Sequence, residues 1–196
     1  YYRELRIRPN DPAWSDRDRF VLSKGHAGPS LYTILAMKGY VDKTILATLN
    51  QPDTNLPSHC DMNRTIGVDM TTGSLGQGLS AAVGMALAAR MEKKDYRTFC
   101  LVGDGEIQEG QIWEAAMYAA HMKLDNLIAF TDYNNLQIDG RIDEINDIAP
   151  LDKKWDALGW NVQVADGHEL AAIDQAIAAP QHRAGKPSLI ILNTTT

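Results

Sequence analysis

The sequence has 196 residues, of which 44% are hydrophobic, and it carries a formal net charge of -6. This length and apolar content predict one compact domain, and the acidic charge argues against non-specific nucleic-acid binding, which depends on dense positive charge. The longest nearly apolar run, residues 81–89, is too short to cross a bilayer, so we expect no membrane association. Two cysteines without metal-ligand spacing, Cys60 and Cys100, and the lack of an apolar signal segment in 1–10 favour a cytoplasmic protein.

Predicted helices alternate with predicted strands over most of the chain. Residues 1–30 and 51–75 are polar or rich in Pro and Gly, so loops are predicted there, with short helical pieces in the first segment. Apolar periodicity and terminal signals predict helices over 30–40, 42–50, 76–94, 109–124, 153–159 and 169–179. Continuous apolar runs predict four buried strands, over 97–103, 126–132, 160–166 and 187–193.

Strands that lack an apolar–polar alternation are buried on both faces, as in a parallel sheet that helices cover on each side. The predicted fold class is therefore α/β, doubly wound, with a mostly parallel sheet and helices on both faces. Residues 1–196 are predicted to form a single domain. Alanines make the helix over 109–124 slim enough for close packing at an interface, with an ordinary buried helix as the alternative: Ala115, Ala116, Ala119 and Ala120.

Polar residues follow two of the predicted strands. Asp104 lies between two glycines after the strand over 97–103, and Asn134 follows the strand over 126–132, with room between them for one crossover helix. Because the carboxyl ends of parallel strands meet at one edge of the sheet, both side chains could reach the same point. Carboxylate, amide and carbonyl oxygens suit Mg²⁺, which completes its shell with water and phosphate oxygens. Asp104 is therefore predicted to hold a cation that faces a phosphate, although each motif alone is also an ordinary turn sequence.

The spacing of GDG (103–105) and NN (134–135) resembles the thiamine diphosphate-binding motif. Longer stretches resemble the cofactor-diphosphate domain of transketolases, namely 18–32, 71–88, 103–128 and 134–140. The similarity is strongest to the N-terminal subunit of a transketolase that is split into two chains. It implies an enzyme that depends on thiamine diphosphate and Mg²⁺ and transfers a two-carbon ketol unit from a ketose phosphate to an aldose phosphate.

The resemblance assigns the metal site and the contact with the cofactor's diphosphate. Asp104, the side chain of Asn134 and the backbone carbonyl of Leu136 would hold Mg²⁺, for which Ca²⁺ may substitute. Asn134 would also contact the cofactor, and the Gly105 N–H would touch the diphosphate. These roles are what the resemblance implies, residue by residue.

The resemblance also assigns ring contacts and catalytic groups. Gly73 and Leu75 would contact the cofactor's rings, in a segment that is otherwise a simple helix start. His26, which would also contact the cofactor, and His59 would orient substrate oxygens and move protons near pH 7. Glu109 would contact the cofactor and join a glutamate network that continues into a partner chain, although a carboxylate at a helix start is favourable in any case.

The sequence departs from the family pattern around His59. Ser58 and Cys60 stand where the family has Gly and Pro, so the local geometry or the substrate range could differ. Glu106 is predicted to be a solvated turn residue, Glu114 has no assigned role, and His121 is predicted to be structural.

The resemblance implies that the partner chain is the pyrimidine-binding C-terminal transketolase subunit. It also implies a dimer of heterodimers (a heterotetramer) and a place in the pentose phosphate pathway. The pyrimidine-binding domain and two family histidines are not in this sequence, so we expect a domain truncated at both ends that is inactive alone.

Three other functions are open at this point. The chain could belong to another thiamine diphosphate enzyme, such as a synthase or a transketolase for an unusual sugar, or it could be a non-catalytic cofactor-binding subunit. A phosphohydrolase with Asp104 as nucleophile is disfavoured, because Glu106 occupies the second acidic position of its usual D-x-D pattern.

Overall fold

The structure, a computed structural model, describes residues 1–138, 140–179 and 185–195. Seven strands follow one another along the described chain: β1 (Arg19–Leu22), β2 (Thr98–Gly103), β3 (Leu127–Tyr133), β4 (Leu136–Gln137), β5 (Gly140–Arg141), β6 (Asn161–Asp166) and β7 (Ser188–Asn193). Five of them form a parallel sheet in the order β1-β2-β3-β7-β6, and β4 pairs with β5 in a short antiparallel hairpin.

The described α-helices are α1 (Gly28–Lys38), α2 (Gln77–Met91), α3 (Gly110–His121), α4 (Ile142–Ile145), α5 (Leu151–Ala157) and α6 (Leu170–Ala178). Short 3-10 helices span Gly25–Ala27, Lys43–Thr48 and Gly105–Gln108. No helix in the described ranges is long and apolar enough to cross a membrane.

Alternate side chains of the strands pack in two different hydrophobic cores. On one side of the sheet, Cys100 and Val102 of β2 belong to a core that includes Leu79 of α2 and Ile112 of α3. On the opposite side, Phe99 packs in a core with the buried residues Ile128, Phe130, Ala176, Ile177 and Ile190. Both faces of the strands are therefore covered, which explains their continuous apolar sequences. The predicted doubly wound α/β class is confirmed.

One prediction for the first part of the chain is wrong, and the predicted short helix over 42–50 is present as a 3-10 helix. Residues 1–30 contain β1, which pairs with β2 along its whole length, from Arg19 beside Thr98 to Leu22 beside Leu101. This strand has only four residues and follows a run of charged side chains, so its apolar pattern is too short to stand out. The segment 42–50 forms a 3-10 helix over Lys43–Thr48, which Asp42 caps by accepting a hydrogen bond from the Thr44 N–H.

The small residues of α3 pack inside this chain. Ala115 is 7% exposed, and Ala116 and Ala119 are fully buried in the core between α2, α3 and the sheet. The ordinary buried helix is thus the correct alternative for these three alanines. Trp160 adds to this packing, because its indole N–H donates to the carbonyl of Ala116 at 2.9 Å.

Close backbone contacts hold the loops at the carboxyl ends of the strands. A Cβ atom placed on Gly78, in the first turn of α2, would lie 2.6 Å from Cβ and 2.7 Å from Cα of Ser23, the residue that follows β1. A Cβ atom on Gly25 would lie 2.6 Å from the carbonyl oxygen of Thr72. Both positions therefore need glycine if the loop after β1 is to pack against the segment that leads into α2.

We predict opposite effects for two Gly→Ala substitutions in α2. Gly78→Ala should lower the free energy of unfolding by about 1–3 kcal/mol, because the new methyl group displaces the Ser23 backbone. Gly84→Ala, the matched control, should raise it by about 0.5–1 kcal/mol, because Gly84 is exposed, nothing lies within 4 Å of its added Cβ, and alanine favours the helix. Urea unfolding of both variants measures the difference, and equal stability of the two would contradict the close packing.

Candidate functional site

A cleft of about 320 Å³ opens at the carboxyl ends of β2 and β3. Six of the predicted site residues line it: His26, Leu75, Asp104, Gly105, Asn134 and Leu136. They come from the loop after β1, the segment before α2, the turn after β2 and the loop after β3. The sheet topology therefore gathers residues that lie up to 110 positions apart (26 to 136) into one cleft at the edge where open α/β sheets bind ligands.

Asp104 is the central carboxylate of the cleft. Its side chain accepts a hydrogen bond from the Gly105 N–H at 2.8 Å on Oδ1 and one from the Asn135 N–H at 2.7 Å on Oδ2. The residue is only 2% exposed, and burial raises the pKa of its carboxyl above the usual value, against the effect of these hydrogen bonds. A cation would relieve the cost of keeping this buried group ionised.

The other two predicted metal ligands lie in the loop after β3. The Asn134 side-chain oxygen accepts a hydrogen bond from the Leu136 N–H at 2.9 Å, which folds this loop back at the start of the β4–β5 hairpin. Among the described residues, no group of three or more His, Cys, Asp or Glu side chains is placed to hold a metal. The predicted donor set of one carboxylate, one amide oxygen and one carbonyl would suit Mg²⁺ better than a transition metal.

Gly105 begins the 3-10 helix after Asp104. Its N–H, which the resemblance assigns to the diphosphate, donates to Asp104 in this structure. A Cβ atom on Gly105 would lie 3.1 Å from Cγ of Gln137, so the β4–β5 hairpin closely approaches this backbone. Glycine at this position keeps the backbone accessible on the cleft side.

His26 lies in the 3-10 helix that follows β1. Partial burial lowers the pKa of its imidazole below the usual value, and the positive charges of Lys24 and His59 act in the same direction. The side chain is therefore neutral at pH 7, when it has one nitrogen that can donate a hydrogen bond and one that can accept a proton.

Three predicted residues lie beside the cleft and do not line it: Gly73, His59 and Glu109. A Cβ atom on Gly73 would lie 3.0 Å from Cδ2 of His59, so the exposed histidine ring packs against this backbone. Glu109 is exposed at the start of α3, next to Gly76. Glu114 and His121 are also exposed on α3, away from the cleft lining.

The prediction for Glu106 is wrong, because this residue is 2% exposed. Its carboxylate accepts hydrogen bonds from the Ser23 hydroxyl, from the Gly76 N–H at 2.8 Å and from the Gly103 N–H at 3.0 Å. Two of these partners are distant in the sequence, and no local pattern signals them.

An ion pair between the loop after β1 and strand β3 is also invisible in the sequence. Lys24 Nζ lies 2.5 Å from Oδ2 of Asp132, and Oδ1 of the same carboxylate accepts a hydrogen bond from the Thr194 hydroxyl at 2.5 Å. Although burial acts to raise it, the pKa of Asp132 is lowered by these two hydrogen bonds. The pair joins the loop after β1 to the end of β3, and of its two residues only Lys24 lines the cleft.

The family model "Transketolase, thiamine diphosphate binding domain" matches residues 1–196. The chain belongs to this family. A 6-deoxy-6-sulfo-D-fructose transketolase subunit from Clostridium sp. (strain MSTE9) is 58% identical over 194 residues, which are 99% of this chain and 70% of that protein. One of the subunits of an apulose-4-phosphate transketolase from Phocaeicola vulgatus is 41% identical over 195 residues, which are 100% of this chain and 69% of that protein.

Solved transketolases have the same fold. The enzyme from Pichia stipitis in complex with sedoheptulose-7-phosphate aligns with a TM-score of 0.94 and 35% identity, over 97% of this chain and 30% of that one. The enzyme from Campylobacter jejuni aligns with a TM-score of 0.92 and 36% identity, over 97% of this chain and 31% of that one. The chain thus spans about 30% of the length of these solved proteins. The predicted family, its transferase class and thiamine diphosphate as cofactor are confirmed.

We predict that Lys24 contributes to the low pKa of His26. Lys24→Gln should raise the His26 pKa, because the substitution removes a positive charge that lowers it. The rise should be partial, because burial is the larger cause and remains. An NMR titration of the histidine ring protons measures the shift. Lys38→Gln, at the other end of α1, serves as the control and should leave the His26 pKa unchanged; an unchanged or lower value in Lys24→Gln would contradict the assignment.

Proposed function

We propose that this chain is the thiamine diphosphate-binding subunit of a transketolase that transfers a two-carbon ketol unit from a ketose to an aldose. The observation that carries the proposal is the cleft in which buried Asp104 lies beside Asn134 and Leu136, in a chain of this family. In our proposal a separate partner chain supplies the pyrimidine-binding domain, and two such pairs form a dimer of heterodimers. Its support is that two relatives named as subunits match this chain over 99–100% of its length.

We place Mg²⁺ on Asp104, the Asn134 side chain and the Leu136 carbonyl, with Ca²⁺ as a substitute. The buried carboxylate supports this assignment, since its raised pKa reflects a charge for which the protein provides only partial compensation. Cofactor contacts are proposed for His26, Gly73, Leu75, Gly105, Glu109 and Asn134.

When bound, thiamine diphosphate supplies the electron sink for breaking the carbon–carbon bond next to the ketose carbonyl. The chain's own residues then bind the substrate and move protons. Neutral His26 can donate a hydrogen bond to a substrate oxygen from one imidazole nitrogen or take a proton on the other. His59, packed on Gly73, is proposed for the same work from the neighbouring loop. Glu109, exposed at the start of α3, is proposed to face the partner chain.

We propose 6-deoxy-6-sulfo-D-fructose as the donor ketose, ahead of the sugar phosphates of the pentose phosphate pathway. The support is the 58% identity to the subunit named for that sugar, against 41% to the subunit named for apulose-4-phosphate. We also propose a cytoplasmic location.

The direct test is an assay of this chain with its partner subunit, thiamine diphosphate and Mg²⁺. Consumption of an aldose that depends on 6-deoxy-6-sulfo-D-fructose supports the full proposal. Consumption that depends only on a ketose phosphate supports transketolase activity and contradicts the proposed donor sugar. Cofactor binding without any ketol transfer favours a non-catalytic subunit. Phosphate release by this chain without thiamine diphosphate favours a phosphohydrolase.

We predict that Asp104→Asn weakens binding of thiamine diphosphate in the presence of Mg²⁺ by more than the roughly 10–100-fold loss typical of an outer-shell partner. The amide keeps the size of the side chain and removes the charge that holds the cation. Calorimetry on the assembled complex measures the affinity. Asp152→Asn, on an exposed residue of α5, is the control and should bind normally. Equal affinities of the two variants would refute the metal role.

A further inference from the structure

The buried carboxylate of Glu106 receives three hydrogen bonds from three separate segments. One oxygen, Oε1, accepts from the Ser23 hydroxyl and from the Gly76 N–H at 2.8 Å, and Oε2 accepts from the Gly103 N–H at 3.0 Å. This one buried side chain therefore links three separate segments through its hydrogen bonds.

Each of these segments carries a residue that lines the cleft. Ser23 precedes His26, which lies in the next turn, Gly76 follows Leu75, and Gly103 precedes Asp104. One side chain thus links the positions of three proposed site residues: His26 for proton transfer, Leu75 for the ring contact and Asp104 for the metal. Glu106 belongs to the lining as well, although its oxygens are used inside the protein.

The backbone around Glu106 is shaped for this role. Gly76 has a φ of +86°, a left-handed conformation that glycine adopts without strain, and it places its N–H within reach of the carboxylate. Gly78 allows the first turn of α2 to approach Ser23 closely, as its Cβ position shows. The glycines therefore permit the close approach, and the carboxylate binds the donors that the approach brings together.

We propose that Glu106 is a positioning residue that holds the loop after β1, the segment before α2 and the turn after β2 in the arrangement that binds thiamine diphosphate. The proposal rests on the proposed function for its ligand. Asp104, in the same turn, accepts a hydrogen bond from the Asn135 N–H and so connects this turn to the loop after β3. Loss of Glu106 therefore separates His26 and Leu75 from the metal-binding turn, whereas the sheet and its two cores remain.

Glu106→Gln is the sharpest variant, because it preserves size and removes one acceptor. The two backbone donors, Gly76 N–H and Gly103 N–H, reach different oxygens, so the amide nitrogen of glutamine must face one of them. One buried N–H then loses its partner, whichever way the amide is turned. Ser23→Ala is a milder second variant, which removes one donor and leaves the carboxylate in place.

The experiment measures cofactor binding and local opening on the assembled protein. We expect Glu106→Gln to weaken the affinity for thiamine diphosphate with Mg²⁺ by about 10-fold or more, as for the loss of a hydrogen bond to a charged group. Ser23→Ala should weaken it by about 3-fold, for the loss of one donor among three.

Amide hydrogen exchange without cofactor provides an independent readout. Exchange should become at least about 10-fold faster in the segments that contain Gly76 and Gly103 in Glu106→Gln, because one of these N–H groups is no longer held. Ser188→Ala is the matched control: it removes a buried hydroxyl that pairs with Asn161 at the start of β7, away from the cleft. It should change neither cofactor affinity nor exchange in these segments.

The outcomes separate this inference from the proposed function. If Glu106→Gln binds the cofactor and exchanges as the wild type does, the inference is overturned. If affinity falls equally in Ser188→Ala, the loss reflects general destabilisation and the positioning role is also overturned. If the wild-type complex binds no thiamine diphosphate, the proposed function fails, and the exchange data alone decide whether Glu106 holds the segments.

Discussion

The site depends on two buried carboxylates that lie two residues apart in one tight turn after β2. Asp104 and Glu106 are each 2% exposed, and each accepts hydrogen bonds from backbone N–H groups of other segments. Burying a carboxylate is unfavourable unless its oxygens accept hydrogen bonds. The segments that supply these bonds must therefore keep their N–H groups within hydrogen-bond distance of the two carboxylates. Asp104 accepts a hydrogen bond from the loop after β3, and Glu106 accepts hydrogen bonds from the loop after β1 and from the segment before α2. One turn thereby fixes the geometry of the whole cleft.

Close backbone packing makes this arrangement possible. Gly25 lies against the carbonyl of Thr72, and Gly78 lies against Ser23, at distances that leave no room for a side chain. Without these contacts the donors of the loop after β1 and of α2 could not approach the same carboxylate. The glycines and Glu106 are therefore two parts of one constraint: the first remove the steric barrier, and the second supplies the attraction.

The sequence predicts those parts of the molecule that depend on local patterns. β2 and β3 are continuous apolar runs, and the helical crossover between these parallel strands brings Asp104 and Asn134 to one edge, as the cleft shows. β1 is not predictable in this way, because four residues give too little periodicity and its pairing with β2 defines it. The burial of Glu106 is not predictable either, because its partners Ser23 and Gly76 lie 83 and 30 positions away. Long-range hydrogen bonds of this kind leave no pattern in a single sequence.

The charges around the cleft explain how acidic residues could belong to the proposed diphosphate site. Among the described residues that line the cleft, Lys24 is the one lysine or arginine, and its ammonium group is already paired with Asp132. His26 is neutral at pH 7, because its pKa is lowered. An ionised Asp104 in the bare cleft would repel a diphosphate, and backbone N–H groups alone would offset only part of that repulsion. A divalent cation on Asp104 would reverse the local sign of charge, and the same carboxylate that repels the anion would then anchor it.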